Sequence, residues 1–306
     1  MKEVYIFPGQ GSQRLGMAKE LLEQSEVAKD VFSQAEVVLS KLGWKQNLQS
    51  LCLEGPVDIL NETEIAQPAI LTVSIAGFKD RIIKGSKLCG LVTGHSLGEY
   101  SALTAAGAFT FEDAVELVAE RGRLMKEAGK QRPGKMAAVI GLGVETVEML
   151  CERLSSEYGN AHVTIANINS PDQIVISGDQ KAIENAGEFA KELGAKMTKV
   201  LPISIAAHSG LMESIRQGMA IALKSTTIKK PEINFISPTT RKYENDPQVI
   251  RELLIAQLTG RVLWLDTVKR MVEDGYDLFL EVGPGEALTR LFKRIDKNVE
   301  ASSLNL

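Results

Sequence analysis

The segment LCGLVTGHSLGEY, residues 88 to 100, leads from a short apolar run into a Gly-x-Ser-x-Gly motif. We interpret LCGLVT, residues 88 to 93, as a buried strand, and the residues from Ala102 to Ala108 as the helix that follows it. The small residues around Ser96 permit the strained turn that lifts a serine hydroxyl out of a sheet. The motif alone is a weak signal, because glycine and serine are common residues. Its position between a strand and a helix makes Ser96 a candidate nucleophile.

The same order of strand, loop and helix recurs towards both ends of the chain. VYIF, residues 4 to 7, predicts a strand that ends at Pro8 and Gly9. Apolar runs and helical periodicity predict strands at 233–237 and 277–282, and helices at 26–42, 66–83, 111–128, 247–258 and 264–273. Such alternation is typical of a mostly parallel sheet with helices on both faces. We therefore predict an α/β fold with an α/β-hydrolase-like core.

The middle of the chain has a different rhythm, with strands closer together and shorter helices between them. The predicted elements follow the order β-α-β-β-α-β: a strand at 135–142, a helix at 145–154, strands at 162–169 and 173–178, a helix at 181–193 and a strand at 196–203. NSPD, residues 169 to 172, supplies the hairpin turn between the two middle strands. This order is ferredoxin-like. We expect a small ferredoxin-like subdomain of residues 132–202, inserted into a large α/β domain of residues 1–131 and 203–306 that carries the nucleophile.

The overall composition excludes several classes of protein. The 306 residues are 44% hydrophobic and 24% charged, which is ordinary for a globular chain and leaves little room for disorder. Lys and Arg number 35 against 39 Asp and Glu, for a net charge of -4, and the one Lys-rich patch, residues 224–231, is short and lacks aromatic residues. We therefore expect no nucleic-acid partner.

Cysteine usage and hydropathy bear on metal sites and membranes. Cys52, Cys89 and Cys151 are widely spaced and form no Cys-x-x-Cys pair, which argues against a zinc site and favours a reducing compartment. The longest stretch without a charged residue, 65–78, is shorter than the roughly 20 apolar residues that span a bilayer. MKEVYIFPGQ, the first ten residues, lacks the features of a signal peptide. We expect a cytoplasmic protein with no metal, no cofactor and no membrane segment.

A serine nucleophile needs a general base, and three histidines are available. His95 is the neighbour of Ser96, and adjacent side chains on a tight turn diverge, so we expect a packing or hydrogen-bonding role for it. His162 opens a predicted strand and is expected at a surface or an edge. His208 lies in the small-residue segment SIAAHSGLM and could point into a cleft between domains. From the residues alone, His208 is either the base or a structural histidine.

FPGQGSQ, residues 7 to 13, is a second glycine-rich loop that follows a strand. It lacks the Gly-Lys-Ser/Thr of a phosphate loop, and Arg14 stands where a dinucleotide fingerprint needs glycine. A loop at the carboxyl end of a parallel strand is well placed to donate a backbone amide to an oxyanion. The amide of Leu97, at the start of the helix after Ser96, would supply a second donor.

Arg121 lies at the edge of the apolar stripe of the predicted helix 111–128, whereas Arg123 points away from the stripe. One reading is an arginine that extends its charged end to solvent from the edge of a core. The other is a partly buried guanidinium that pairs with a carboxylate of the substrate, since bidentate pairing suits this group.

Seven motifs, taken together and in this order, resemble those of the malonyl-CoA:acyl carrier protein transacylases. They are FPGQGSQ (7–13), AQPA (66–69), GHSLGEYSAL (94–103), RGRLM (121–125), HSGLM (208–212), QL (257–258) and EVGPG (281–285), and they span nearly the whole chain. The resemblance implies an α/β core with a ferredoxin-like insertion. It also implies an S-malonyltransferase of fatty-acid synthesis, or a free-standing acyltransferase of a polyketide synthase.

The resemblance implies a role for each matching residue. Ser96 would carry the malonyl group and His208 would be its base, while the amides of Gln10 and Leu97 would form the oxyanion hole. Arg121 would hold the malonyl carboxylate, and the backbone carbonyl of Gln257 would orient the imidazole. The pocket would include Gln67, His95 and Met125. Malonyl-CoA and an acyl carrier protein would be the partners, with phosphopantetheine carried by the latter and no cofactor bound by this chain.

A few positions depart from the usual pattern of the family. Ala206 and Ala207 stand where bulkier or hydroxyl-bearing residues are common, Ser237 and Pro238 replace a segment that usually carries Asn, and Arg261 replaces a frequent proline. These departures bear on the acyl pocket and the carrier-protein surface, and they favour a specialised pathway. The choice of carrier and the preference for malonyl over methylmalonyl stay open.

Two other functions use the same residues. An acyl-thioester hydrolase needs the same serine and histidine, and fast hydrolysis of malonyl-CoA without a carrier protein would identify it. A non-catalytic scaffold that docks a carrier protein is the second alternative, and the presence of Ser96, His208 and both glycine-rich loops argues against it. No heptad pattern is present, and we expect a monomer.

Overall fold

The computed structural model describes residues 2–87 and 89–306. Its strands are β1 (Glu3–Phe7), β2 (Leu91–Gly94), β3 (Gly134–Ile140), β4 (Val163–Ser170), β5 (Gln173–Asp179), β6 (Met197–Val200), β7 (Asn234–Ile236), β8 (Tyr243–Glu244), β9 (Leu278–Glu281) and β10 (Glu300–Ser303). Its helices are α1 (Lys19–Gln24), α2 (Glu26–Lys41), α3 (Leu48–Leu53), α4 (Val57–Leu60), α5 (Thr63–Ile83), α6 (Gly98–Ala105), α7 (Phe111–Gln131), α8 (Val144–Glu157), α9 (Gln180–Glu184), α10 (Ala186–Glu192), α11 (Arg216–Ser225), α12 (Pro247–Ala256), α13 (Trp264–Glu273) and α14 (Ala287–Ile295), with a 3-10 helix over Gly210–Ile215.

The larger sheet is mostly parallel, as the alternation of strands and helices predicts. Its order is β10-β9-β1-β2-β7-β8, and every neighbouring pair is parallel except β7 and β8. The sequence did not predict β8 and β10. The segment of β8 is YE and that of β10 is EASS, and neither contains an apolar run. Both strands lie at the edges of the sheet, where burial is incomplete.

Strand β1 illustrates why the central strands are continuous apolar runs. Val4, Tyr5, Ile6 and Phe7 are all fully buried. Tyr5 and Phe7 pack into one hydrophobic cluster with helices α2, α5, α6 and α7, whereas Val4 and Ile6 pack into another with α13 and α14. Helices therefore cover both faces of the sheet, and each position along the strand must be apolar.

The smaller sheet has the strand order β4-β5-β3-β6, and all of its pairs are antiparallel. With α8 between β3 and β4, and α9 and α10 between β5 and β6, this is the ferredoxin-like arrangement. The helix predicted over 181–193 is instead two short helices that meet at Asn185. The division of the chain at 132 and 202 stays a prediction.

The elbow region differs from its predicted bounds by a few residues. Strand β2 begins at Leu91 rather than at 88, and Leu88 itself lies outside the described residues. Helix α6 begins at Gly98, directly after the serine turn, rather than at Ala102. In the parallel pair of β1 and β2, Phe7 lies opposite Gly94. The FPGQGSQ loop and the GHSLG elbow therefore leave the same edge of the sheet.

Candidate active site

The turn at Ser96 has a backbone conformation that few residues adopt. The φ of Ser96 is 54°, in the left-handed region. A Cβ on Gly98 would lie 2.0 Å from the carbonyl oxygen of Phe7, and a Cβ on Gly94 would lie 2.0 Å from the backbone of Gly98. Only glycine fits at these two positions, because a side chain at either would collide with main chain. The motif therefore forms the nucleophile elbow that the sequence predicts.

His208 is the histidine that reaches Ser96. Its Nε2 lies 2.7 Å from the Oγ of Ser96, and its Nδ1 lies 2.8 Å from the carbonyl oxygen of Gln257 and 3.2 Å from that of Gly260. Since carbonyl oxygens only accept hydrogen bonds, we assign the ring proton to Nδ1. Nε2 then accepts the hydrogen bond of the Ser96 hydroxyl, which is the geometry of a general base.

The environment of His208 keeps its imidazole neutral. Burial, followed by the positive charge of Arg121, lowers the pKa of His208 to about 3. An imidazole with this pKa is unprotonated at neutral pH. It is therefore ready to take a proton from Ser96 without first losing one to solvent.

The other two histidines have different partners. The Nε2 of His95 lies 2.9 Å from the Oδ1 of Asn169, and burial lowers the pKa of His95. The Nε2 of His162 accepts a hydrogen bond from the backbone N–H of Gly210 at 2.9 Å. Both have the hydrogen-bonding or edge positions expected from the sequence, although the contact between His162 and the loop after His208 was not predicted.

Arg121 is buried beside the nucleophile, with 2% of its surface exposed. It donates to Gln67 Oε1 at 2.8 Å, to Gln257 Oε1 at 3.0 Å and to Ser96 Oγ at 3.3 Å. All three acceptors are neutral, and the Nε of Arg121 has no partner within the described residues. Arg123 instead pairs with Glu120 on the surface at 2.7 Å. Arg121 is thus a buried cation whose direct contacts do not neutralise it, which suits an anionic ligand.

Two backbone amides near Ser96 are free to bind an oxyanion. The N–H groups of Gln10 and Leu97 have no acceptor within the described residues. Leu97 stands at the N-terminal end of α6, where the helix dipole favours negative charge. The side-chain Nε2 of Gln10 donates to Thr63 Oγ1 at 3.0 Å, which ties its loop to α5.

These residues surround a small cavity of about 140 Å³. Ser96, His208, Arg121, Gln10 and His95 contribute polar groups to its wall. The rest of the wall consists of apolar side chains and two asparagines: Met125, Met136, Val175, Leu201, Ile203, Ile205, Ala207, Asn167 and Asn169. Gln67, expected in the pocket, lies behind Arg121 and holds its guanidinium. A cavity of this size suits a short acyl group.

The model of the acyl transferase domain family matches residues 4–304. The chain belongs to this acyltransferase family. It is 39% identical over 301 residues, 98% of this chain and 95% of the relative, to the malonyl CoA-acyl carrier protein transacylase of Salmonella typhimurium. Among solved structures, the malonyl CoA-acyl carrier protein transacylase of Coxiella burnetii matches with a TM-score of 0.95 at 38% identity, over 100% of this chain and 94% of that one. The chain is therefore a member of the malonyl-CoA:acyl carrier protein transacylases within the family.

Another solved structure links the family to carrier proteins directly. It is a malonyl-transacylase in complex with a type II polyketide synthase acyl-carrier protein, with a TM-score of 0.94 and 37% identity over 100% of this chain and 96% of that one. The resemblance stated from the motifs is confirmed by these matches.

Glu99 is a polar residue of this acyltransferase site that the sequence did not indicate. It lies on α6, three residues after Ser96, and 1% of its surface is exposed. The Oγ of Ser237 donates to its Oε1 at 2.9 Å, and the Nε2 of Gln257 donates to its Oε2. Burial raises the pKa of Glu99 to about 7. The available signal was a single carboxylate in the otherwise uncharged helix GEYSALTA.

The departures from the family pattern have separate structural settings. Ala207 lines the cavity, whereas Ala206 packs so closely against Gly134 that a Cβ on Gly134 would lie 2.5 Å from the Cβ of Ala206. Arg261 pairs with Glu148 at 2.8 Å, away from Ser96. Within the described residues, no three His, Cys, Asp or Glu side chains cluster as metal ligands do. No helix among residues 2–87 and 89–306 is long and apolar enough to cross a membrane.

Proposed function

We propose that this acyltransferase moves a malonyl group from malonyl-CoA to the phosphopantetheine thiol of an acyl carrier protein, through a malonyl ester on Ser96. The observation that carries the proposal is the buried guanidinium of Arg121, which lies 3.3 Å from the Oγ of Ser96. A hydrolase or transferase of neutral acyl groups has no use for a buried cation that touches no anion at this point, whereas a malonyl thioester brings a carboxylate to it.

In the first half-reaction, Ser96 attacks the thioester carbonyl of malonyl-CoA while Nε2 of His208 takes the hydroxyl proton. The amides of Gln10 and Leu97 stabilise the negative oxygen of the tetrahedral intermediate. The intermediate collapses with cleavage of the carbon–sulfur bond, and His208 gives its proton to the departing CoA thiolate. The carbonyl of Gln257 holds the imidazole in the required tautomer and stabilises the transient imidazolium.

The second half-reaction is the first in reverse with a different thiol. His208 takes the proton of the phosphopantetheine thiol, whose sulfur attacks the carbonyl of the malonyl ester. The bond between that carbonyl and the Ser96 oxygen then breaks, and His208 gives its proton to Ser96, which restores the free enzyme. The two substrates use the site in turn, so the kinetics should be ping-pong.

Arg121 supports selection of the acyl group. A malonyl carboxylate can bind its guanidinium, whereas an acetyl group leaves that guanidinium buried with no anion in contact with it. Methylmalonyl carries the same carboxylate, so Arg121 does not distinguish it from malonyl. Discrimination against the extra methyl group would depend on Ala207 and the other apolar residues of the cavity wall.

The test follows the acyl group by intact mass. Wild type, Ser96→Ala and a surface control, Ser33→Ala on α2, are mixed briefly with malonyl-CoA, and a phosphopantetheinylated carrier protein is then added. We expect wild type and Ser33→Ala to gain one malonyl group that the carrier removes, and Ser96→Ala to gain none. Free malonate without a labelled carrier would identify an acyl-thioester hydrolase instead. Absence of labelling on wild type would favour a non-catalytic scaffold that docks a carrier protein.

The partner is proposed only to the level of an acyl carrier protein. Comparing the kcat/KM of malonyl transfer to carriers of fatty-acid and type II polyketide systems would assign the pathway. That the protein is a cytoplasmic monomer that uses no cofactor stays part of the proposal, and sedimentation of the purified protein would test its oligomeric state.

A further inference from the structure

Behind Ser96 lies a buried network of four charged or polar side chains that the reaction scheme does not use fully. Glu99 accepts hydrogen bonds from Ser237 and Gln257, and the Oε1 of Gln257 accepts one from Arg121 Nη2 at 3.0 Å. The amide of Gln257 thus bridges the carboxyl of Glu99 and the guanidinium of Arg121. Its Nε2 also donates to the backbone carbonyl of Ser96 at 2.9 Å.

Glu99 and Arg121 are opposite charges in one buried cluster, but they do not touch. Within the described residues, the direct partners of Arg121 are neutral atoms, so Glu99 acts on it through space and through Gln257. Such an indirect pair leaves the guanidinium free to bind an anion while its charge is balanced in the empty site.

We propose that Glu99 is the internal counter-charge of Arg121, and that it takes up one proton from solvent when the carboxylate of the acyl group binds Arg121. The proposal rests on the function proposed above, in which Arg121 receives that carboxylate. Two ionised carboxylates and one guanidinium would leave a net negative charge inside the protein. Protonation of Glu99 leaves one buried carboxylate rather than two beside the guanidinium, so the cluster is neutral.

The contacts of Glu99 accommodate both protonation states. Its Oε2 faces an amide N–H, which can only donate, so the proton has to bind Oε1. Oε1 faces the hydroxyl of Ser237, which donates to a carboxylate and can accept from a carboxylic acid. Ser237 also accepts from the backbone N–H of Thr239 at 3.2 Å, which holds the hydroxyl oxygen in place. Glu99 can therefore keep its hydrogen bond to Ser237 in both protonation states.

The other titratable groups of the cluster do not compete for the proton. Tyr100 follows Glu99 on α6, and burial raises its pKa to about 12, so it stays neutral. His208 and His95, on the other side of Ser96, have lowered pKa values and stay neutral as well. Burial raises the pKa of Glu99, while the hydrogen bonds from Gln257 and Ser237, followed by the positive charge of Arg121, lower it. An anion bound to Arg121 cancels that influence, which raises the pKa of Glu99 above about 7.

The proton count can be measured by calorimetry on Ser96→Ala, which binds acyl-CoA without reacting. Titration with malonyl-CoA in two buffers of different ionisation enthalpy, at about pH 8, reports the protons taken up. Acetyl-CoA is the matched ligand, because it carries the same CoA without the carboxylate. We expect malonyl-CoA to take up more protons than acetyl-CoA at about pH 8, by up to about one proton, and almost none more at about pH 5.5, where Glu99 is already protonated.

A second variant assigns the proton to Glu99. Glu99→Gln in the Ser96→Ala background mimics the protonated acid and should abolish the extra uptake while malonyl-CoA still binds more tightly than acetyl-CoA. If Ser96→Ala prefers malonyl-CoA but takes up no extra proton at about pH 8, the Glu99 proposal fails and the role of Arg121 stands. If Ser96→Ala binds the two ligands equally, both proposals fail. If the double variant does not fold, the difference in proton uptake between malonyl-CoA and acetyl-CoA, measured on Ser96→Ala at the two pH values, still tests the proposal.

Discussion

The Nε2 of His208 lies 2.7 Å from the Oγ of Ser96, although the two residues are 112 positions apart in the chain. Both have positive φ values, 54° for Ser96 and 59° for His208, which non-glycine residues rarely adopt. Two strained turns, one after β2 and one after the small antiparallel sheet, therefore meet at a single hydrogen bond. Strain of this kind persists only where the surrounding structure holds it, as the packed glycines of the elbow do here.

Replacing Arg121 with alanine should change which acyl group is transferred. We expect Arg121→Ala to lower the kcat/KM for malonyl-CoA by about 10²-fold or more, because the substrate carboxylate loses its charge-assisted partner in a buried site. Transfer of acetyl from acetyl-CoA should be spared or raised. The measurement is kcat/KM for both thioesters, with Arg123→Ala on the same helix as the control. An unchanged malonyl preference in Arg121→Ala would refute the role of Arg121.

The pH dependence should reflect the neutral imidazole of His208. Because the pKa of His208 is lowered to about 3, acetyl transfer should persist well below the ordinary titration range of histidine, about pH 6.5. Arg121 is the second cause of this shift, so Arg121→Ala should move the acid limb of the profile to higher pH. The rate of acetyl transfer as a function of pH, in wild type and Arg121→Ala, is the measurement. Acid limbs at the same pH in both proteins would contradict the contribution of Arg121.

Stability should fall with rising pH through Glu99. Its pKa is raised from an ordinary 4.5 to about 7, so between these values the folded state binds more protons than the unfolded state. That contribution is fully present below about pH 4.5 and is lost by the time the pH has passed about 7. Glu99→Gln should therefore gain in melting temperature relative to wild type as the pH is raised from about 5 to about 8. Glu145→Gln, at an exposed position on α8, is the control, and parallel melting curves for Glu99→Gln and wild type across this range would contradict the shift.

The elbow should not tolerate a side chain at Gly98. A Cβ there would lie 2.0 Å from the carbonyl oxygen of Phe7, so Gly98→Ala must displace β1 or α6. We expect a loss of about 2–4 kcal/mol in the free energy of unfolding, together with loss of malonyl labelling at Ser96. Gly187→Ala, at an exposed position on α10 where a Cβ would meet only Thr198 Cβ at 4.0 Å, should instead be neutral or stabilising by up to about 1 kcal/mol. Chemical denaturation of both variants is the measurement, and equal stability of the two would contradict the predicted collision at Gly98.

Local pattern was sufficient for most of the fold. Helices α2, α5, α7 and α13 lie within a few residues of their predicted bounds. Helices α2, α7 and α13 each have an apolar stripe that packing buries, whereas α5 is a long apolar run that is buried on all sides. The errors fall where local signals are weak. The edge strand β10 is polar, and the break at Asn185 divides one predicted helix into α9 and α10 without a proline there to indicate it.

The sequence by itself determined the strand-turn-helix around Ser96, the glycine loop opposite it and the family resemblance, because these depend on residues close together in the chain. Only the tertiary structure decided between the readings of His208 and Arg121, and only it revealed the place of Glu99. The side chain of Gln257 joins Arg121 and Glu99 from 136 and 158 positions away, respectively. Such contacts, and the burial that sets the pKa values of His208 and Glu99, exist only after distant segments have packed together and excluded water.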